Sequence, residues 1–113
     1  YDMNTGERIW WIPVGEVDDD IKNHPALQGV DTSMFGGGGQ SIQMVAGDLL
    51  VAEWETADGP ALHAYNKLTG DKVGEVPLPG PGQYGMMTYM HEGEQYISVQ
   101  VQNPARLVTL RLP

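Results

Sequence analysis

Tyr1-Asp2-Met3-Asn4-Thr5-Gly6-Glu7-Arg8-Ile9, continued by Ile12-Pro13-Val14, returns later as Tyr65-Asn66-Lys67-Leu68-Thr69-Gly70-Asp71-Lys72-Val73, continued by Val76-Pro77-Leu78. The offset is 64 positions at every matched residue, with no gap inside the block. Each copy reads as a strand, a Thr-Gly turn followed by an acidic and then a basic residue, and a second strand that closes on proline. That pattern is a hairpin, used twice.

Working outward from the two copies, short apolar alternations bounded by turn residues recur along the chain. Tyr96–Val101 is the cleanest, with Ile97, Val99 and Val101 on one face; Val108, Leu110 and Leu112 repeat it. Ile42–Val45, Leu49–Trp54, Leu62–Asn66, Val73–Leu78 and Met86–Met90 complete the expected strands, joined by tight turns at Ala46-Gly47-Asp48, Leu68–Asp71 and His91–Glu94. Helical periodicity is absent except for a short turn around Asp19–Asn23, which Pro25 would stop. Residues 16–40 read as one long connection ending in the run Gly36–Gly39.

Repeated short antiparallel hairpins joined by longer connections predict an all-β fold, a partial β-propeller of about two four-stranded blades. The expected division gives residues 1–15 to the end of one blade, with Tyr1–Val14 as its strands C and D. Residues 16–40 form a long loop, 41–79 a full blade with strands A to D, and 80–113 the last blade with three strands. A small β-sandwich containing a duplicated hairpin is the alternative.

Composition narrows the function classes. The 113 residues include Gly 15 and Pro 8, about a fifth of the chain against an ordinary share of about 12%, as turn-rich β folds require. Lys and Arg number 6 against 15 Asp and Glu, a net charge of −9, so clustered cations that would neutralise nucleic-acid phosphates or an anionic membrane surface are missing. The cysteine count is 0, which excludes disulfides, thiolate metal sites and a cysteine nucleophile. No apolar run approaches the roughly 18 residues of a membrane-spanning helix.

Asp2, Thr5, Gly6 and Trp10 in the first copy resemble the tryptophan-docking motif of the pyrroloquinoline quinone (PQQ) dehydrogenases, in which a Trp packs between neighbouring propeller blades. The second copy, His63-Ala64-Tyr65-Asn66 with Thr69-Gly70, keeps the turn but carries Gly74 where the Trp would fall. Ile21–Leu27, Leu62–Gly70, Met87-Thr88-Tyr89-Met90, Glu92-Gly93, Gln95-Tyr96-Ile97 and Leu107–Pro113 are similar to the C-terminal end of the glucose-dehydrogenase-like branch, in the same order. The resemblance implies a C-terminal fragment of a larger bacterial periplasmic quinoprotein, with Pro113 at or near the natural C-terminus. It implies a parent that oxidises a sugar or alcohol with PQQ and Ca2+ and passes electrons to a quinone or cytochrome. The fragment by itself is expected to be inactive, because the proton-abstracting Asp and the metal ligands are expected in earlier blades. A non-catalytic propeller acting as an assembly scaffold is the competing function.

Propellers bind ligands where D–A and B–C loops meet on one face; here those are residues 16–40, 79–85, 55–61 and 102–106. The resemblance makes Asp58 the nearest match to an Asp placed near the quinone, against the plain reading of Asp-Gly as a turn. Asn103, in Gln102-Asn103-Pro104-Ala105, replaces a glycine-rich loop that carries a His in some members; its amide would donate to a quinone or carboxylate oxygen. Trp54, at a strand end, would reach the same face, although Trp10, Trp11 and Trp54 read more simply as packing aromatics. Gly36–Gly39 lacks the Gly-Lys-Ser/Thr ending of a phosphate loop and reads as a flexible hinge. Asp18-Asp19-Asp20 lacks the order of a calcium loop and reads as a solvated acidic segment. His24, His63 and His91 lack metal-ligand spacing.

Overall fold

A computed structural model describes residues 1–39 and 41–112. Gln40, the end of the expected long loop, and Pro113, the close of the expected last blade, lie outside the described residues. Among the described residues, seven strands form two antiparallel meanders. The first sheet holds β1 (Ile42–Ala46), β2 (Leu49–Thr56), β3 (Gly59–Asn66) and β4 (Lys72–Pro77), in that spatial order. The second holds β5 (Gly82–His91), β6 (Glu94–Val101) and β7 (Arg106–Arg111), again in chain order. The first strands of the two sheets, β1 and β5, lie against each other. Sequential meanders that meet through their first strands are sectors of a radial array. The Greek-key crossovers common in sandwiches do not occur among the described strands.

The apolar pattern of β2 follows from its surroundings. On one face Val51 joins Leu62, Leu78, Ile97, Val99 and Val101 in the core between the sheets. On the other, Ala52 and Trp54 join Tyr65 in a second cluster, over which Ile12 and Val14 pack. A strand covered on both faces needs apolar residues at successive positions, so Leu49–Trp54 reads as a run and not as an alternation. By contrast β4 is exposed along its whole length. Its Lys72, Glu75 and Pro77 suit an outer edge, because charges and proline discourage pairing with another strand.

Both copies of the repeated turn adopt one conformation. Asp2 Oδ1 accepts from the amides of Asn4 (2.7 Å) and Thr5 (3.3 Å), as Asn66 Oδ1 does from Leu68 (2.9 Å) and Thr69 (3.3 Å). Backbone bonds Gly6 N to Asp2 O and Gly70 N to Asn66 O are both 2.8 Å. The two copies then dock. The Trp10 indole lies on Gly70, where an added Cβ would sit 2.8 Å from Cδ2, and its Nε1–H donates to Lys67 O at 3.0 Å. Gly70 has φ +79, a second reason for glycine at that point. Trp10 thus joins residues 1–14 to the full sheet through the turn of the second copy.

Several expectations need correcting. Residues 1–14 form the turn but no strand, so the expected strands C and D of a preceding blade do not pair as a ladder; a two-stranded hairpin without a sheet beside it is marginal in water. The short helical turn expected around Asp19–Asn23 is present as α1 (Asp19–Lys22) and ends before Pro25, which in addition starts a 3₁₀ turn, Pro25–Leu27. Gly36–Gly39 is not a free hinge. Gly37 N donates to Val14 O at 3.1 Å, and a Cβ at Gly37 would fall 1.9 Å from Glu16 O, so two backbones lie in direct contact there. Finally, the expected 55–61 loop is a two-residue turn, Ala57-Asp58, because β2 and β3 pair out to Thr56 and Gly59.

The molecule is open. Its radius of gyration is 16.1 Å, against about 13 Å for a compact domain of this length. Its accessible surface is 7738 Å², against about 6,100 Å² for a compact chain of this mass. Replacing Trp10 by Ala is expected to cost about 2–3 kcal/mol of stability, and Gly70→Ala about 1–2 kcal/mol. In the double variant the Gly70→Ala penalty should shrink, since the indole it strikes is gone. Urea unfolding followed by circular dichroism checks all three; strictly additive losses would show that the two residues are not coupled.

Candidate functional site

Among the described residues, recesses open where the ends of the strands meet their connections; one of about 390 Å³ lies beside Ser41, Ile42 and Gly82–Tyr84. Of two that border Trp54, the larger, about 360 Å³, is lined by Glu53, Trp54 and Glu55 at the end of β2, Pro81–Gln83 at the start of β5, Gln102 after β6, and Gly15, Gly38 and Gly39 of the long connection. The other, about 280 Å³, lies across the first sheet's opposite face and includes Glu16, Trp54, Asp58, His63, Lys72 and Glu75. Gly15 and Trp54 line both.

Glu53 is the unusual residue of the first recess. It is a carboxylate inside the apolar run Leu49–Trp54 and only 3% exposed. Gly82 N–H donates to its Oε1 at 2.9 Å. A side chain at position 82 would collide with it, since an added Cβ would lie 2.7 Å from Glu53 Cδ. Gly82 therefore makes room for the carboxylate and binds it. The connection that carries Gly82 is itself held down by Gln102 N–H, which donates to Pro81 O at 2.9 Å. Gln83 adds an amide whose Oε1 is buried without a partner among the described residues.

In the second recess His63 is buried between Trp54 and the β4 edge. Its ring stacks on the Trp54 indole, centroids 4.0 Å apart and planes 15° from parallel, and Tyr65 continues the stack at 5.8 Å from Trp54. His63 Nδ1 lies 3.1 Å from Glu75 Oε2 without the alignment of a hydrogen bond, and Glu75 is also paired with Lys72. Burial, and then the positive charge of Lys72, push the His63 pKa below its ordinary 6.5, while Glu75 opposes them. The Lys72 ammonium holds the Glu75 carboxyl below its usual range.

Of the residues expected at a site, the fold brings Trp54 and Asp58 to one recess and leaves Asn103 elsewhere. Asp58 occupies the β2–β3 turn, its backbone amide donating to Thr56 Oγ1 at 3.2 Å. Asn103 is exposed with φ +57, a left-handed conformation that Asn tolerates; its neighbour Gln102, not Asn103, lines the larger cavity. In the acidic run Asp18 precedes α1 and Asp19 and Asp20 form its first turn, and Asp19 and Glu16 both lie 3.8 Å from Lys22 Nζ. Glu53, Gln83 and Gln102 were not singled out from sequence. A charge inside an apolar run was the available signal for Glu53; for the two glutamines there was none. Among the described residues no three His, Asp or Glu side chains converge as metal ligands, and no helix is long and apolar enough to cross a membrane.

Radially arranged meanders and an indole docked on the next Thr-Gly turn together define a sector of a β-propeller. Comparison with known proteins carries this further. A profile of the glucose/ethanol/alcohol dehydrogenase β-propeller domain, named for PQQ, matches residues 1–97. The chain is also 34% identical over 98 residues to quinoprotein glucose dehydrogenase A of Acinetobacter calcoaceticus, covering 87% of this chain and 12% of that protein. No solved structure matches. The chain belongs to the PQQ-dependent glucose/ethanol/alcohol dehydrogenase β-propeller family.

The depressed His63 pKa sets an expected pH response. The unfolded chain binds more protons than the folded one just below pH 6.5, so this contribution to stability is complete above that pH and is lost as pH falls towards the folded-state pKa. Urea midpoints measured between pH 8 and pH 5 should fall more steeply for the natural chain than for His63→Gln. Parallel curves would show that His63 titrates alike in both states.

Proposed function

We propose that this chain is part of a PQQ-dependent dehydrogenase that oxidises a sugar or an alcohol and delivers the electrons to a quinone or cytochrome acceptor. The family match over residues 1–97 is the observation that carries the reading. It favours an enzyme parent over a cofactor-free assembly scaffold. The resemblance to periplasmic quinoproteins supports a bacterial periplasmic location for the parent.

PQQ supplies the two-electron oxidising chemistry in such a reading, and the protein binds, orients and polarises. The described residues do not suit its principal cradle. PQQ is a flat aromatic tricarboxylate, and the larger cavity is lined by Glu53 and Glu55 with no Lys or Arg among its described lining residues. Like charges and acceptors facing acceptors disfavour its carboxylates there. Lys72, the cation of the second recess, is already tied to Glu75. The residues that hold the carboxylates, the proton acceptor and the ligands of a calcium ion are therefore proposed to lie in other blades of the parent. This sector offers peripheral contacts: the indole of Trp54 as an apolar plane, the amide of Asn103 as a donor, and Asp58 as an acceptor for an N–H.

Reconstituted with PQQ and Ca2+, the parent should reduce an artificial electron acceptor when given aldoses or alcohols. No cofactor uptake together with no turnover across a broad panel would overturn the reading. Within it, Asp58→Asn is expected to weaken PQQ binding about tenfold, the loss of one hydrogen bond to a charged group, as read by absorbance titration of the parent. Unchanged affinity would leave Asp58 as a turn residue alone.

A further inference from the structure

We infer that His63, Glu75 and Lys72 form a proton-operated switch in which the Glu75 carboxylate changes partner, from Lys72 while the imidazole is neutral to His63 once the ring is protonated. The inference is independent of the dehydrogenase reading, because all three residues belong to one sheet.

The arrangement begins with the strand register. His63 on β3 and Glu75 on β4 are direct cross-strand partners. Lys72 and Glu75 are three positions apart, which in a regular strand would put them on opposite faces. Here the register steps from Ala64 opposite Gly74 to Tyr65 opposite Lys72 and leaves Val73 as an extra residue. That bulge turns Lys72 onto the face of Glu75. One oxygen, Glu75 Oε2, thus meets both the Lys72 ammonium and His63 Nδ1, the latter at 3.1 Å.

A buried imidazole ordinarily has a partner. His63 is 2% exposed, yet neither ring nitrogen makes a hydrogen bond among the described residues. Its Nδ1 lies close to an anion to which Lys72 donates. Protonation alters the balance, since the imidazolium carries two N–H donors and a full charge. The ring already lies on the Trp54 indole with centroids 4.0 Å apart, and an indole face attracts a cation. Burial and Lys72 oppose the imidazolium; Glu75 and the Trp54 backbone favour it. Lys72 holds the Glu75 carboxyl below its ordinary 4.5, so the anion persists into the acid range.

Exposure decides which pair wins in acid. The Lys72 and Glu75 side chains are each nearly half exposed, so water screens their pair and both are free to turn. A pair with His63 is shielded by the sheet on the imidazole side. The ammonium released from Glu75 stays in a recess that Glu16 of the connection and Asp58 of the β2–β3 turn also line. Tyr65, its ring centroid 6.5 Å from that of His63, is the titratable neighbour on β3 itself, and on β2 Glu53 is held by Gly82 N–H instead. In acid the switch ties β4 to β3 through a charged cross-strand pair; at neutral pH Glu75 and Lys72 close on each other within β4.

The test follows the His63 imidazole by NMR as the pH of the natural chain is lowered from 8 to 4, its signal identified by the shift that the stacked indole imposes. Glu75→Gln should lower the His63 midpoint by about half a pH unit and Lys72→Met should raise it. Both substituted residues are half exposed, so the fold should survive, as circular dichroism checks. The change of partner is read from the Lys72 ammonium protons. Below the His63 midpoint they should exchange with water about threefold faster in the natural chain than in His63→Gln at the same pH. Glu75→Gln, in which Glu75 no longer pairs with the ammonium at any pH, gives the fast limit and serves as the reference if His63→Gln does not fold. A His63 midpoint that Glu75→Gln leaves in place, or a ratio of Lys72 exchange to that limit that stays constant through the midpoint, would overturn the switch.

Discussion

One indole resting on one glycine joins the first copy of the repeat to the second. Trp10 covers Gly70 and donates to Lys67 O, and the same neighbourhood brings Ile12 and Val14 onto Ala52, Trp54 and Tyr65. From there the chain passes Gly15, Gly36 and Gly37, where backbones lie against one another with no room for side chains between them. Thus the inner wall of both recesses depends on a contact formed at the turn. Without that contact, residues 1–14 have no sheet of their own to hold them, since they form no ladder.

The same constraint explains why both faces of β2 are buried. Propeller blades stack like slices, and a central strand meets a neighbour on each side. Val51 serves the core between the sheets, and Ala52 and Trp54 serve the segment docked by Trp10. A carboxylate can enter such a strand only where the packing opens, and at Glu53 it opens because position 82 is glycine. Packing and the polar lining are therefore one piece of geometry: the gap that accommodates Glu53 also borders the cavity.

Family membership and site chemistry answer different questions. The family assignment rests on a match that runs through most of the chain, while this chain spans only 12% of the curated relative. A propeller's central site draws on many blades, so any one sector contributes a few contacts and not a complete reaction centre. The acceptor-rich cavity and the aromatic stack of Trp54, His63 and Tyr65 are what this sector contributes.

The fold class was legible in the amino-acid sequence because its determinants are local. Strand alternation, the Thr-Gly turn and a fixed offset of 64 positions between two hairpins depend on neighbours a few residues apart. Trp10 was legible as a docking residue through the resemblance of Asp2, Thr5, Gly6 and Trp10 to the tryptophan-docking motif. The site was less legible. Residues 55–61 read as a loop in the sequence, whereas strand pairing out to Thr56 and Gly59 confines Asp58 to a two-residue turn. Gly36–Gly39 had the composition of a hinge, yet contact with Val14 and Glu16, some twenty residues away, makes two of those glycines packing residues. Glu53, Gln83 and Gln102 come from three separate segments and share a cavity only after both sheets have formed. Sequence alone determined the repeat, the strands and the family, because short-range chemistry encodes them. Tertiary structure decided which polar groups face one another, because that depends on close approaches between distant backbones, which local pattern does not record.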